Sequence, residues 1–104
     1  MRDVTVDDLA VALEEGAAVI DVREHMEWVR GHIPGTRLMP MSQLGARVGE
    51  LDRSSRLYVI CQSGNRSGAM TDALRSMGFD AWSVQGGVGA WLRSGRTVAT
   101  GNAA

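Results

Sequence analysis

The sequence predicts an α/β fold in which parallel strands alternate with helices, and three observations carry that prediction. Leu57-Tyr58-Val59-Ile60 is a short apolar run with β-branched members; it leads through Cys61 and the polar stretch Gln62-Ser63-Gly64-Asn65-Arg66 into a helical pattern from Ser67 to Met77. Ala17-Ala18-Val19-Ile20-Asp21-Val22 is a second short apolar run, bounded by Gly16 and by charges, which is the pattern of a strand buried in a parallel sheet. The chain has 104 residues, 44% hydrophobic and 22% charged, which suits one ordinary globular domain and is too short for two.

Taken in order, Thr5 and Asp8 stand three apart like a capping box, and Val6, Leu9, Ala10 and Leu13 follow at helical spacing up to a C-capping Gly16. In the strand that follows, Asp21 is a carboxylate among apolar neighbours. Buried there it would cost several kcal/mol without a donor, so it is expected to meet one near the sheet edge that carries Cys61. Arg23 to Arg30 can form a short helix ended by Gly31, and His32-Ile33-Pro34-Gly35 a turn. Thr36 to Met39 reads as an edge strand stopped by Pro40. Ser42 is placed to cap a helix through Leu44 and Val48 to Leu51, weakened by Gly45 and Gly49.

After the central strand, Ala69, Met70, Ala73, Leu74 and Met77 form an apolar stripe on the helix, with the methionines as core packing. Gly78-Phe79-Asp80 connects to a strand at Ala81-Trp82-Ser83-Val84. Gln85-Gly86-Gly87 then turns into a last helix, Val88 to Ser94, with Trp91 and Leu92 directed inward. The paired glycines leave room for a neighbouring backbone, and the Cys61 loop is the candidate. Residues 96–104 have no periodicity and are expected to be frayed or loosely docked, so the domain is assigned to 1–95 and a tail to 96–104.

Chemistry points to the loop after the central strand. A strand that feeds a helix through a short loop leaves loop amides and the first helical N–H groups without carbonyl partners, facing one concavity that suits an anion. Cys61 lies at the strand's carboxyl end, where open α/β sheets place their sites. A thiol of ordinary pKa, about 8.5, falls to roughly 3.5–7.5 at a helix N-terminus or beside a guanidinium, so Cys61 is the candidate nucleophile. Around it, Gly64 allows a tight turn, Arg66 supplies a planar donor fork, and Gln62, Ser63, Asn65 and Ser67 add short polar groups.

Composition excludes several partners. A formal net charge of −1 provides no basic face for nucleic acid or anionic membrane. The single cysteine forms no internal disulfide and suits a reducing compartment, and the start of the chain has no apolar signal region, so a cytoplasmic protein is expected. No apolar run approaches the about 20 residues of a membrane span. His25 and His32, seven apart without companion ligands, match no metal pattern and are expected to make local hydrogen bonds.

Together these pieces resemble a single-domain rhodanese, a sulfurtransferase module, over nearly the whole chain from Val4 to Gly95. The resemblance rests on Val19-Ile20-Asp21-Val22-Arg23-Glu24, Glu27-Trp28 and Gly31-His32-Ile33-Pro34-Gly35, then on Val59 through Ser67. Gly78-Phe79 and Gln85-Gly86-Gly87-Val88-Gly89-Ala90-Trp91 complete it. The resemblance implies a three-layer fold with a mostly parallel central sheet flanked by helices, and no cofactor. It implies that Cys61 takes sulfane sulfur from thiosulfate or a persulfide donor, holds it as a persulfide and passes it to a thiol or cyanide acceptor. Gln62, Ser63, Gly64, Asn65, Arg66 and Ser67 would then form the binding loop, with Asp21 and Arg23 bracing it from behind.

Two other readings share the same loop. One is a persulfide carrier that serves a protein donor or acceptor and turns over small molecules poorly. The other is a cysteine phosphatase; those enzymes resemble this loop but place five residues between cysteine and arginine, where here only Gln62 to Asn65 intervene, and the smaller ring fits sulfur better than phosphate.

Overall fold

Five parallel strands organise the computed structural model, which describes residues 2–102. They are β1 (Asp3–Val4), β2 (Ala18–Asp21), β3 (Arg37–Leu38), β4 (Leu57–Ile60) and β5 (Ala81–Val84), in the order β1-β5-β4-β2-β3. Helices α1 (Val6–Glu14), α2 (His25–Arg30), α3 (Leu44–Arg47), α4 (Asn65–Ser76) and α5 (Gly87–Arg93) fill the connections. Each strand pairing is parallel, and β4 holds the centre with Ile20 beside Val59 on one flank and Ser83 beside Val59 on the other.

The strand period of two sorts side chains into two cores. Ile20, Leu57, Val59, Cys61 and Ala81 pack with Leu44, Leu74 and Phe79, while Val19, Ile60 and Val84 pack with Leu9, Val88 and Trp91 on the opposite face. Helices therefore cover both faces, giving the three layers expected. Fully burying a side chain such as Leu74 contributes roughly 1.5–3 kcal/mol. Cys61 continues the Leu57 and Val59 face and so arrives beneath α4.

Local chemistry sets the helix ends. The Thr5 hydroxyl accepts from the Asp8 amide and the Asp8 carboxylate accepts from the Thr5 amide, the reciprocal cap read from the sequence. The helix after the loop starts at Asn65, two residues earlier than expected, because Gly64 takes a left-handed φ of 108° and turns the chain at once into a helix. Its buried face is Ser67, Thr71 and Leu74, with Met70 half-buried, whereas Ala69 and Met77 are exposed. The apolar stripe was misplaced because two of the covered residues are polar.

Other expectations change as well. β1 is only two residues long, too short to show a period, and was not anticipated. Residues 41–50 form a 3-10 turn, the short α3 and a second 3-10 turn instead of one helix, in keeping with Gly45 and Gly49; Ser42 donates to Glu24 and caps nothing. Leu92 is exposed, and only Trp91 points inward. The tail is docked: His32 and Ala99 exchange backbone hydrogen bonds of 2.9 and 2.8 Å, Gly101 N–H donates to Val29, and the Trp91 indole donates to the Thr97 carbonyl. These are mostly backbone bonds, which composition does not encode.

The paired glycines seat the Cys61 loop. A Cβ at Gly87, whose φ is +57°, would stand 2.1 Å from the Cys61 carbonyl oxygen and 2.7 Å from the Gln62 carbonyl carbon. That close approach lets the amides of Val88 and Gly89, orphan donors at the start of α5, reach the Cys61 and Gln62 carbonyls at 2.9 and 3.0 Å. Gly87→Ala is therefore expected to cost more than about 2 kcal/mol in a urea titration, because rigid backbone must move. Gly68→Ala, with open space at its Cβ and an ordinary helical backbone, should instead add about 0.5–1 kcal/mol. Equal effects would contradict this account of the seat.

Candidate active site

Cys61 lies at the base of the loop, not at its mouth; the residue is 1% exposed. Its backbone side belongs to the apolar core under α4, yet the sulfur itself meets polar groups. The Gly64 amide donates to Sγ at 3.0 Å, and Ser67 Oγ lies 3.4 Å away. Burial, the largest influence on the thiol, pushes its pKa up. The Ser67 hydroxyl and the amides of Ser67, Gly64 and Ser63 together outweigh it, so the pKa lies below the ordinary thiol value. These donors come from one turn of chain, because the left-handed Gly64 folds the loop back over the residue that precedes it.

Beneath the loop sits a buried ion pair. Asp21, fully buried, accepts from the Arg23 amide at 3.0 Å and from the Arg23 guanidinium at 2.8 to 3.1 Å, so the expected donor is present two residues along the chain. Arg23 also donates to the Gly31 carbonyl at 2.8 Å and to Gln62 Oε1 at 3.1 Å. Asp21 pairs in register with Ile60, one residue before Cys61, so this pair ties the start of the loop to the end of β2. Leaving one partner alone in such a site costs about 3–5 kcal/mol, which makes the contact an obligate one.

Arg66 is placed differently from the expectation. It belongs to the first turn of α4, and its two terminal nitrogens donate to the Glu27 carboxylate at 2.8 and 2.7 Å in a bidentate fork that engages the guanidinium with α2, while its charge still interacts with Cys61. Glu27 also accepts from the Glu24 amide, completing the cap of α2. Gln62, Ser63 and Asn65 are exposed; Ser63 contributes its amide to the sulfur, and the Asn65 side chain is not brought to it. His32 makes the local hydrogen bond expected, to the Trp28 carbonyl, and stacks on the Trp28 ring, whereas His25 bonds to Asn102 in the tail, 77 positions away. Among the described residues no three His, Cys, Asp or Glu side chains converge on a point that could hold a metal.

Two residues of the site carry little signal in the sequence. The partner of Glu27 lies 39 positions away, beyond any local pattern. Ser83 Oγ lies 2.8 Å from Ser67 Oγ; its signal was a small polar residue two after Ala81, on the same face of the strand. The Glu27 pair carries a pH signature. The Arg66 guanidinium holds the Glu27 carboxyl down to about 2, against an ordinary 4.5, so the folded chain gains stability from this group above pH 4.5 and loses it as pH falls through 2. Because both side chains are partly solvated, Glu27→Gln should cost only about 1 kcal/mol at neutral pH. The gap between variant and parent should close as the pH is lowered from 4.5 toward 2 in denaturant titrations; a gap that stays constant over that range would contradict the assignment.

Comparison with known proteins places this geometry in a family. The model of the rhodanese-like domain matches residues 5–94. The uncharacterized protein YqhL of Bacillus subtilis is 35% identical over 92 residues, covering 88% of this chain and 72% of YqhL. The protein named "Putative sulfur carrier protein YrkF", also of Bacillus subtilis, is 35% identical over 66 residues, 64% of this chain but only 36% of YrkF. The crystal structure of a rhodanese-related protein from Thermoplasma volcanium superposes with a TM-score of 0.87 at 33% identity, covering 94% of this chain and 97% of that one. The chain belongs to the rhodanese-like domain family, a family of sulfur-transfer domains.

Proposed function

We propose that this protein is a sulfurtransferase that moves sulfane sulfur from thiosulfate or a persulfide donor to a thiol or cyanide acceptor through a persulfide on Cys61. The observation that carries the reading is the Gly64 amide donating to Cys61 Sγ at 3.0 Å with the Ser67 hydroxyl 3.4 Å from the same atom. In the first step the Cys61 thiolate attacks the outer sulfur of thiosulfate. The sulfur–sulfur bond of the donor breaks, sulfite leaves with its electron pair, and Cys61 keeps the transferred sulfur as an anionic persulfide. In the second step an acceptor thiolate or cyanide attacks that outer sulfur and Cys61 departs as the thiolate, ready for another cycle. No general base takes part, because the thiolate exists before the donor arrives.

Fixed amides serve both halves of the cycle. They are oriented before the reaction and lie where negative charge resides in thiolate and persulfide alike. Since Cys61 is nearly covered while Gln62 and Ser63 are exposed, a donor must offer a single protruding sulfur, which thiosulfate and persulfides do. Such a thiol stays reduced only in a reducing compartment, which fits a cytoplasmic protein.

A carrier reading draws support from one specific contact. Arg66 is the only charged residue of the loop and is engaged by Glu27 in a bidentate pair, so a free anion competes with a carboxylate for that guanidinium. The printed name of YrkF points the same way. In that case the donor and acceptor are proteins, and recognition lies in their surfaces.

Incubating the pure protein with thiosulfate should add the mass of one sulfur atom to the intact chain, and Cys61→Ser should gain nothing; a wild-type mass left unchanged by every sulfane donor would refute the chemistry. Rates then separate the two readings. Multiple turnovers with thiosulfate and cyanide identify an enzyme, whereas loading that is fast from a persulfidated protein and near background from thiosulfate identifies a carrier.

A further inference from the structure

Behind the sulfur the structure holds a short chain of hydroxyls, of which the catalytic reading uses only the first. Ser67 Oγ lies 3.4 Å from Cys61 Sγ and 2.8 Å from Ser83 Oγ, and it also reaches the Gly64 carbonyl at 3.2 Å. Ser67 and Ser83 are 0% and 4% exposed, so the Ser67 hydroxyl depends on protein partners. Ser83 comes from β5, which shares no local sequence with the loop, and beyond it opens a polar cavity of about 270 Å³ lined also by Thr71 and Asn65 and by the charged Arg2, Asp3 and Asp72.

Ser67 has one proton and three possible acceptors. It supports a negative sulfur only when that proton points at Sγ; directed at the Gly64 carbonyl or at Ser83, it presents its lone pairs to the sulfur instead. The protonated thiol can donate to Ser67, which then donates onward. The thiolate reverses the chain, so that Ser83 donates to Ser67 and Ser67 to the sulfur. A donor at 2.8 Å behind Ser67 polarises its O–H bond and occupies the lone pairs that would otherwise face the sulfur.

We infer that Ser83 is a positioning residue: by donating to Ser67 it turns the Ser67 hydroxyl toward Cys61 and so favours the anionic sulfur. The hydrogen-bond partner of the Ser83 hydroxyl is Ser67, and through it Ser83 acts. The inference deepens the role given to Cys61 above, yet it concerns the acidity of the thiol and can be tested without any sulfur donor. The two therefore fail separately, one in the mass of the loaded protein and the other in the pH profile below.

The experiment is the pH dependence of Cys61 alkylation by iodoacetamide in the full chain, for wild type, Ser83→Ala, Ser83→Thr, Ser67→Ala and the double alanine variant. Ser83→Ala should raise the apparent pKa by about half a unit to one unit, which is roughly three- to tenfold less thiolate at a pH below it. Ser83→Thr restores the hydroxyl, and its methyl has the cavity to occupy, so its profile should return toward wild type. Ser67→Ala should shift the profile further, and removing Ser83 in that background should add nothing, the signature of a residue that works through its neighbour. An unchanged profile in Ser83→Ala would overturn the inference. So would shifts of the two single variants that add in the double, or a Ser83→Thr profile that stays with Ser83→Ala although thermal unfolding shows the variant folded.

Discussion

The hydrogen bond from the Gly64 amide to Cys61 Sγ is the contact on which the rest of the site depends. It requires the chain to leave β4, cross three residues and double back, and only the left-handed backbone of Gly64 lets it do so without strain while α4 begins at the next residue. That turn places the Ser67 amide and hydroxyl in the first turn of the helix, on the side of the sulfur. The other end of the loop is held by α5, whose leading amides grip the Cys61 and Gln62 carbonyls across the gap left by Gly87. Sheet, loop and two helix starts thus fix one atom from three directions.

Charge is arranged in pairs around this loop. Asp21 and Arg23 form a buried pair whose own net contribution to stability is small, since desolvation offsets much of the attraction. Its value lies in geometry, because the guanidinium reaches Gln62 at the loop's start and the Gly31 carbonyl at the end of α2. Glu27 and Arg66 do the same at the loop's far end, joining α2 to α4. The groups that lower the Cys61 pKa are accordingly neutral dipoles fixed in place, the Ser67 hydroxyl first and then the loop amides.

Much of this was legible in the chain. β2, β4 and the strand at Ala81 announce themselves as short apolar runs between glycines and charges, and the polar glycine-containing stretch after Cys61 marks the loop. What stayed hidden depends on contacts remote in sequence. The partner of Arg66 lies in another helix, so its guanidinium was assigned to the sulfur; the covered face of α4 includes Ser67 and Thr71, which hydropathy reads as solvent-facing. β1 is held by backbone hydrogen bonds that any residue type could make, and the tail by such bonds together with side-chain contacts to residues remote in sequence, as from the Trp91 indole to Thr97.

The claim that inward-facing peptide groups keep Cys61 anionic is tested most directly by titrating the thiolate absorbance of the ligand-free protein against that of Cys61→Ser. The account predicts an apparent pKa clearly below that of an ordinary cysteine. A value at or above the ordinary one would mean that burial outweighs the amides, and the arrangement described here would then not activate the sulfur.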